Sequence, residues 1–490
     1  MKIRYSFIWL SLFGIAVNGQ VRQPHSLYFM ETIPQISQMN PAFQPRANSY
    51  VILPANINVD YRNDLAVKDI FQKQGRKWYT PVEKQYDYDL LYKSIGKKAT
   101  MFNVGLDWDI FGLGFRTGNG YFSLGLSEHI SVLTALPSDL FKIVEKGLPE
   151  MSLDFSPLRT QAIAYTQIKI GYSHRWNDQL TIGINVKPLF GQVVVATKID
   201  KFKMHTGEQQ WDFDAKGNIY SSLPVEEVIL DENDKIYNIK FKDSDDYKTS
   251  DWINQGFGSS NPGVAIDIGA TYKIDERLVV SAALNNLGFI SWKNDLNGIS
   301  FNGKYAFNGL EYDTSKDYDD FKDLLINLGD SVLAAMDYKV QHDKFKTPLA
   351  PVFHAGATYS LSKSVSVGFL SRSVFWQNAF QQSFNLSVNL QPYSFVAFNA
   401  GATWQVKSNV YLGGGLTFFV GPLQVYLLTD YIPILYSTVR IDKGDEIGEK
   451  ITNIPARMKG ETVRVGVNLV FGKQGYVNKP MLDKGKSSWN

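Results

Sequence analysis

The 490-residue chain contains no cysteine. This excludes a disulfide framework and thiolate metal sites, and it fits a protein that crosses an oxidising compartment. A charge excess is also missing. Fifty Lys and Arg against 48 Asp and Glu leave +2, so nothing electrostatic points to nucleic acid. The six histidines (His25, His129, His174, His205, His342 and His354) are scattered, with no HExxH or other ligand spacing. No G-x-S-x-G nucleophile elbow is present. The acidic runs Asp231–Asp234 and Asp243–Asp246 lack the glycine turn and closing glutamate of an EF-hand loop. The expectation is therefore no enzyme, no metal and no cofactor. Long apolar runs are absent too: after the first twenty residues nothing approaches the roughly 18 needed for a membrane helix.

What the chain has is alternation. In its last regular stretch, Thr462 to Phe471, the residues Val463, Val465, Val467, Leu469 and Phe471 are apolar, and those between them include Thr462, Arg464, Gly466 and Asn468. Successive side chains point to opposite faces of a strand, so one face is greasy and the other is not. Arg464, Gly466, Leu469 and Phe471 also fit the closing-strand signal of bacterial outer-membrane barrels. Aromatics make up 14% of the residues, which suits a barrel with aromatic girdles.

The same pattern recurs backwards along the chain: 423–431, 410–418, 396–404, 384–390, 365–369, 353–359, 278–284, 266–272, a weaker 192–203, then 180–186, 168–172, 122–126 and 102–110. That is about 14 strands, an even number, as bacterial barrels require. Lys169, Lys187, Asp267, Lys273, Asp107 and Asp109 fall opposite the apolar stripe. The fold class expected is all-β: a transmembrane antiparallel β-barrel with an N-terminal plug-like segment and short helices in loops. Alternation alone would also suit a sandwich; length, strand number and the terminal signal favour the barrel. With Phe471 at the periplasmic rim, alternation sends the insertions 204–262, 289–350 and 433–460 outside the cell. Segment 131–161 then falls inside and the turn at Lys407 is a short outer one, two exceptions to this asymmetry. Trp404 and Tyr431 are expected in the outer aromatic girdle.

Residues 1–19 read as a signal peptide. Lys2 and Arg4 precede the apolar core Phe7–Val17, and small Val17 and Gly19 flank a cut before Gln20. Residues 20–100 form an N-terminal segment that plugs the lumen, rests under the barrel in the periplasm or adds strands to the wall; 20–49 is rich in Pro, Gln and Asn and 50–61 has a strand pattern. The barrel is expected over 101–471 and a polar tail over 472–490. Phe321 to Met336 shows helical spacing, which suits either a cap on the barrel mouth or a docking surface. Leu140–Leu148 is a shorter stretch of the same kind.

Two motifs carry a resemblance. Met39–Pro45 contains Asn40-Pro41-Ala42, and Ser281–Trp292 (SAALNNLGFISW) ends a strand with Asn-Leu-Gly and an aromatic run. With the strand number, these resemble the long-chain fatty-acid transporter-like (FadL/PorV-type) barrels, and more closely a family of uncharacterised Bacteroidota outer-membrane proteins. In the transporters the Asn-Pro-Ala stretch belongs to a hatch inside the barrel. The resemblance therefore implies that Asn40, Pro41 and Ala42 anchor a plug. This chain has Phe43 where those transporters have Gly.

Two functions follow from the resemblance. One is passage of hydrophobic small molecules across the outer membrane. The other is a structural or assembly barrel that docks a secreted or surface protein, as in type IX secretion. The partners expected in either case are outer-membrane lipid and the barrel-assembly machinery, with apolar small molecules or a secreted protein besides.

Overall fold

The computed structural model describes residues 23–472, apart from 75–76, 80, 82–84, 96–97, 148, 224, 231–235, 242–260, 308–337, 377–378, 407–409, 433–435, 442–449 and 456–457. The expected signal peptide, the helix over 321–336, both acidic runs and the tail beyond Gly472 lie outside the described residues.

The wall begins with β1 (Ser49–Ile52) and β2 (Asn56–Asn63), two halves of one strand. It continues through β3 (Ala99–Thr117) and β4 (Gly120–Pro137). A short helix, α1 (Asp139–Lys146), and β5 (Met151–Asp154) come next, then β6 (Arg159–Arg175) and the 27-residue β7 (Leu180–Thr206). After β8 (Trp211–Ser222) come β9 (Pro262–Lys273), β10 (Leu278–Trp292) and three short pieces, β11 (Gly298–Phe307), β12 (Lys339–Gln341) and β13 (Phe345–Pro348). The wall then runs through β14 (Val352–Ser360), β15 (Val365–Trp376), β16 (Ala379–Tyr393), β17 (Val396–Gln405), β18 (Val410–Val420), β19 (Leu423–Thr429) and β20 (Gly460–Phe471).

Closure is made by the ends of the chain. β20 pairs with β19 on one side and with β1 and β2 on the other, with Ser49 opposite Phe471 and Ile57 opposite Val465. β1 and β2 in turn pair with β3. The result is a closed antiparallel barrel of 14 strands. Residues 53–55 bulge out between the two halves of the first strand. Pro54 has no N–H to give to the ladder, and the Asn56 amide repairs it by donating to the Leu53 and Val467 carbonyls at 2.7 Å each.

Burial shows which way the barrel faces. Leu386, Ile170, Ile268 and Phe418 are exposed, whereas Asp267, Arg464, Asn185 and Gln424 are buried. Apolar side chains point out and polar ones in, the reverse of a soluble sandwich and the pattern of a barrel immersed in lipid. Lys273, at a turn, is the one exposed member of the six charged residues placed on the polar face. Trp404 is half exposed on the outside, as expected. Tyr431 is not on that face: it packs edge-on against Tyr411 at the mouth of the lumen.

Two strand assignments change. Segments 180–186 and 192–203 are one strand, β7, which runs straight through Pro188 and Gly191. The ladder between β6 and β7 is interrupted beside Pro188, the position where a missing N–H costs least. The fourteenth strand instead comes from β1 and β2, so the wall starts at Ser49 and not near residue 101. Joining 180–186 to 192–203 shifts the parity of everything before them. Segment 131–161 therefore moves to the end that carries the long connections. The tight turns around 118, 177, 275, 363, 394 and 421 share the opposite end with Phe471, while the short connections from β15 to β16 and from β17 to β18 lie at the end of the long ones.

β7 also leaves the wall. Its first half pairs with β9, but from Val194 to Thr206 it pairs with β8, which pairs with β11. β5 adds to its far end, and α1 packs there through Ile143, with Leu153, Met204 and Phe213. A sheet therefore stands beyond the barrel rim.

An arginine placed at Leu386, half-way along β16 on the outer face, should cost about 2–4 kcal/mol in reversible unfolding from lipid bilayers. A cost near zero would show that this face does not meet lipid.

Candidate functional site

Residues 23–48 do not join the wall; they cross its interior. Pro24, Pro34, Pro41 and Pro45 prevent regular structure, and only two short 3-10 turns form, His25–Phe29 and Pro34–Gln38. An irregular buried segment leaves backbone carbonyls without partners, at a cost of roughly 1–3 kcal/mol each. The wall supplies the partners. Gln424 donates to Thr32 O (2.8 Å), Asn185 to Ser37 O (3.4 Å), and Asn285 to Gln38 O and Met39 O (2.9 and 3.0 Å). Arg372 donates to Gln23 O (2.9 Å), Arg116 to Pro45 O (2.8 Å) and the Tyr121 hydroxyl to Ala47 O (3.1 Å). These donors come from six different strands, so the segment is held all round the lumen.

Its side chains reach back. Gln35 exchanges two hydrogen bonds of 3.0 Å with Asn468, and donates to Asn56. Gln38 donates to Asp109, and Gln23 to Asp107 at 2.6 Å. Arg464, almost wholly buried, pairs with Asp109 and donates to Gln23, to Gln38 (3.1 Å) and to the Tyr426 hydroxyl (3.1 Å). Burying an arginine is tolerable only with this many partners. Across the lumen, Lys187 pairs with Asp267 at 2.6 Å and donates to Asn286 at 2.8 Å. The Lys169 ammonium donates to the Ser37 hydroxyl at 3.1 Å.

The Asn-Pro-Ala stretch sits against β9, β10 and β7. The Asn40 amide donates to Ala270 O and Ala282 O, and its Oδ1 accepts from Ala42 N at 2.9 Å. A methyl group at Gly269 would overlap Asn40 Oδ1, and one at Gly183 would overlap the Pro41 carbonyl. The second motif does not end a strand. Asn285 and Asn286 form a bulge in the middle of β10, with Asn286 at φ 61°, which turns both side chains inward. Asn285 holds the plug backbone, and Asn286 N–H donates to Asp267 at 2.8 Å.

An apolar seam accompanies the polar contacts. Leu27, Tyr28, Phe29, Met30, Ile33 and Met39 cluster with Leu370, Ala397 and Leu428 of the wall. The Tyr28 and Phe29 rings lie against Gly356 and Gly368, where a side chain would collide with them. A pocket of about 110 Å³ below the seam opens among the turn residues Ser362 to Ser364. Above the plug, at the end with the long connections, a cavity of about 590 Å³ has His25 in its lining. His25 is clamped: its N–H donates to Asp430 at 2.7 Å, Nδ1 meets the same carboxylate at 2.6 Å, and Nε2 lies 2.9 Å from Ser383 Oγ.

Of the closing-strand residues, Arg464 and Gly466 face the lumen, Phe471 is exposed on the outside, and Leu469 is half-buried there. Gly466 leaves room for Asn56 and Tyr426. Sequence reasoning missed the plug glutamines Gln23, Gln35 and Gln38; the Gln-rich composition of 20–49 was their only signal. Among the described residues, no three His, Asp or Glu side chains gather to hold a metal ion.

Residues 41–430 match the family described as "Family of unknown function (DUF5723)". The chain belongs to this family. No curated protein matches it by sequence. Similar solved structures include the toluene transporter TbuX of Ralstonia pickettii, with 8% identity, TM-score 0.43 and coverage of 94% of this chain and 100% of that one. A FadL homologue of Pseudomonas aeruginosa has 11% identity and TM-score 0.42, covering 93% and 99%. The toluene transporter TodX of Pseudomonas putida has 10% identity and TM-score 0.38, covering 89% and 93%. At such scores, fold and cargo have to be argued from this chain's own residues.

Replacing Gly269 by valine should push Asn40 off the wall while the ladder of β9 stays intact, so channel current in planar bilayers should rise with the barrel still folded. An unchanged current would mean that Asn40 is not needed for closure. Replacing Arg464 by leucine leaves Asp109 buried without its cation and should destabilise the barrel by about 3–5 kcal/mol, read by urea unfolding.

Proposed function

We propose that the chain is an outer-membrane channel held shut by its own residues 23–48, with Asn40, Pro41 and Ala42 as the plug's anchor. The observation that carries this reading is the ring of wall side chains that satisfies the plug's carbonyls. A segment so fully partnered closes the lumen, yet each hydrogen bond contributes only about 1 kcal/mol net, so displacement is within reach of a ligand or a partner. The length asymmetry of the connections supports placing 204–262, 289–350 and 433–460 outside the cell, with the turns around 118, 177, 275, 363, 394 and 421 in the periplasm. Arg464, Gly466, Leu469 and Phe471 then serve as the signal read by the barrel-assembly machinery.

The cargo implied by the resemblance is hydrophobic small molecules. The seam formed by Tyr28, Phe29, Met30 and Leu370 supports that cargo, because shifting the plug would bare an apolar strip inside the lumen. A second reading rests on a separate observation. The sheet of β7, β8 and β11 beyond the rim is a platform larger than closure needs, and it suits an assembly barrel that holds a secreted or surface protein.

Deleting residues 23–47 should raise single-channel conductance and the uptake of small apolar solutes, with the barrel still folded. No rise in either would sink the channel reading. Recovery of a stoichiometric protein that depends on 207–261 would favour the assembly reading instead.

A further inference from the structure

Three of the six histidines lie at the start of the plug: His25 on the plug itself, His129 on β4 and His354 on β14. Two of them meet a carboxylate. His25 Nδ1 lies 2.6 Å from Asp430, in the wall of the vestibule above the plug, and His129 Nδ1 lies 2.6 Å from Asp107. A proton on either ring is matched by an anion. His354 is different. It is 3% exposed, and neither of its ring nitrogens has a hydrogen-bond partner among the described residues.

The groups around His354 bring it no counter-charge. The residue opposite it on β10 is Ala283, and on β15 it is Arg372. The Arg372 guanidinium donates to Gln23 O, so it sits at the same end of the plug. From the plug, the Tyr28 ring covers His354 with centroids 5.7 Å apart, and the Tyr28 hydroxyl is engaged by Ser281 at 2.9 Å. The charges that act on the ring are those of Arg372 and, when protonated, His25, while Asp430 is engaged by His25. A proton on His354 would therefore bury a second cation beside Arg372 with no anion to meet it.

We infer that His354 is an acid-operated release for the plug. While neutral, the ring packs under Tyr28 and the plug stays seated. Once the first turn of the plug lifts away, the ring meets lumen water and takes up a proton at about pH 6.5, as an unburied imidazole does. The proton thus prefers the unseated state, and acid shifts the balance toward release. Between pH 7.5 and pH 5 the ratio of unseated to seated plug should rise by up to about thirtyfold, the limit for one imidazole. The inference deepens the channel reading and rests on the plug being displaceable.

The test follows the plug directly, in the full-length protein. Ser26 is buried on the plug, its hydroxyl has no partner among the described residues, and the chain has no cysteine of its own. A Ser26→Cys probe is labelled in membranes with a water-soluble maleimide at both pH values. Labelling is timed with His354 present and with His354→Phe or His354→Gln, neither of which can take a charge. Acid lowers the thiolate fraction alike in all three, so the ratio of rates reports the plug. Heat-modifiable migration on gels verifies that each variant is folded. The rate with His354, relative to either folded variant, should rise on acidification by up to about thirtyfold. A ratio that stays flat against a folded variant overturns the inference. Current through the 23–47 deletion is measured separately. A flat ratio with a conducting deletion removes this inference and leaves the channel reading; a rising ratio with a silent deletion does the reverse.

Discussion

A barrel in lipid must face apolar residues outward, so most polar side chains of its strands turn into the lumen. That single constraint governs the rest of this molecule. A lumen lined by Asp107, Asp109, Asp267, Lys187 and Arg464 needs either water or a matching polar filler. Residues 23–48 are that filler: irregular, proline-interrupted and rich in carboxamides. Their unpaired carbonyls meet wall donors, and their glutamines meet wall carboxylates. A segment with a regular element of its own would have no carbonyls to spare. A lumen without inward Asn, Gln and Arg would have nothing to offer them.

Glycine decides where the two bodies can touch closely. Gly183 and Gly269 admit Asn40 and Pro41, and Gly356 and Gly368 admit the Tyr28 and Phe29 rings. Polar and apolar contacts thus alternate around the plug. Many contacts hold the segment, and Asn40 is the one proposed as its anchor. At the top, His25 joins the plug to the vestibule through a carboxylate that both share. At the bottom, Asn48 runs directly into β1, with Asn48 N–H donating to Phe471 O at 2.9 Å, so that end is tied to the closing strand itself.

Much of the wall was legible because alternation has a period of two and reports its own face. Leu386, Val388 and Leu390 point out in the structure as they do in the pattern. Punctuation was less reliable. Pro188 and Gly191 look like a turn, yet β7 runs through them because the ladder is already open beside Pro188. Asn285-Asn286 looks like a strand end, yet it is a bulge that continues as β10. The first strand was the reverse case, since Pro54 splits its pattern into two weak halves. The motif Asn40-Pro41-Ala42 could be flagged from sequence. Its partners on β7, β9 and β10 lie some 140 to 240 residues away, and local pattern carries no information about such pairings.

The central claim is that the N-terminal segment closes the lumen in the membrane. The absence of native cysteine allows a direct measurement. Gln35 and Asn468, joined by paired hydrogen bonds, are each replaced by cysteine and bridged in membranes with a short bifunctional methanethiosulfonate. Current through the bridged barrel is compared with current after reduction. The account predicts efficient bridging and a barrel that stays closed while bridged, regaining its openings on reduction. Failure to bridge, or equal current in both states, would contradict it.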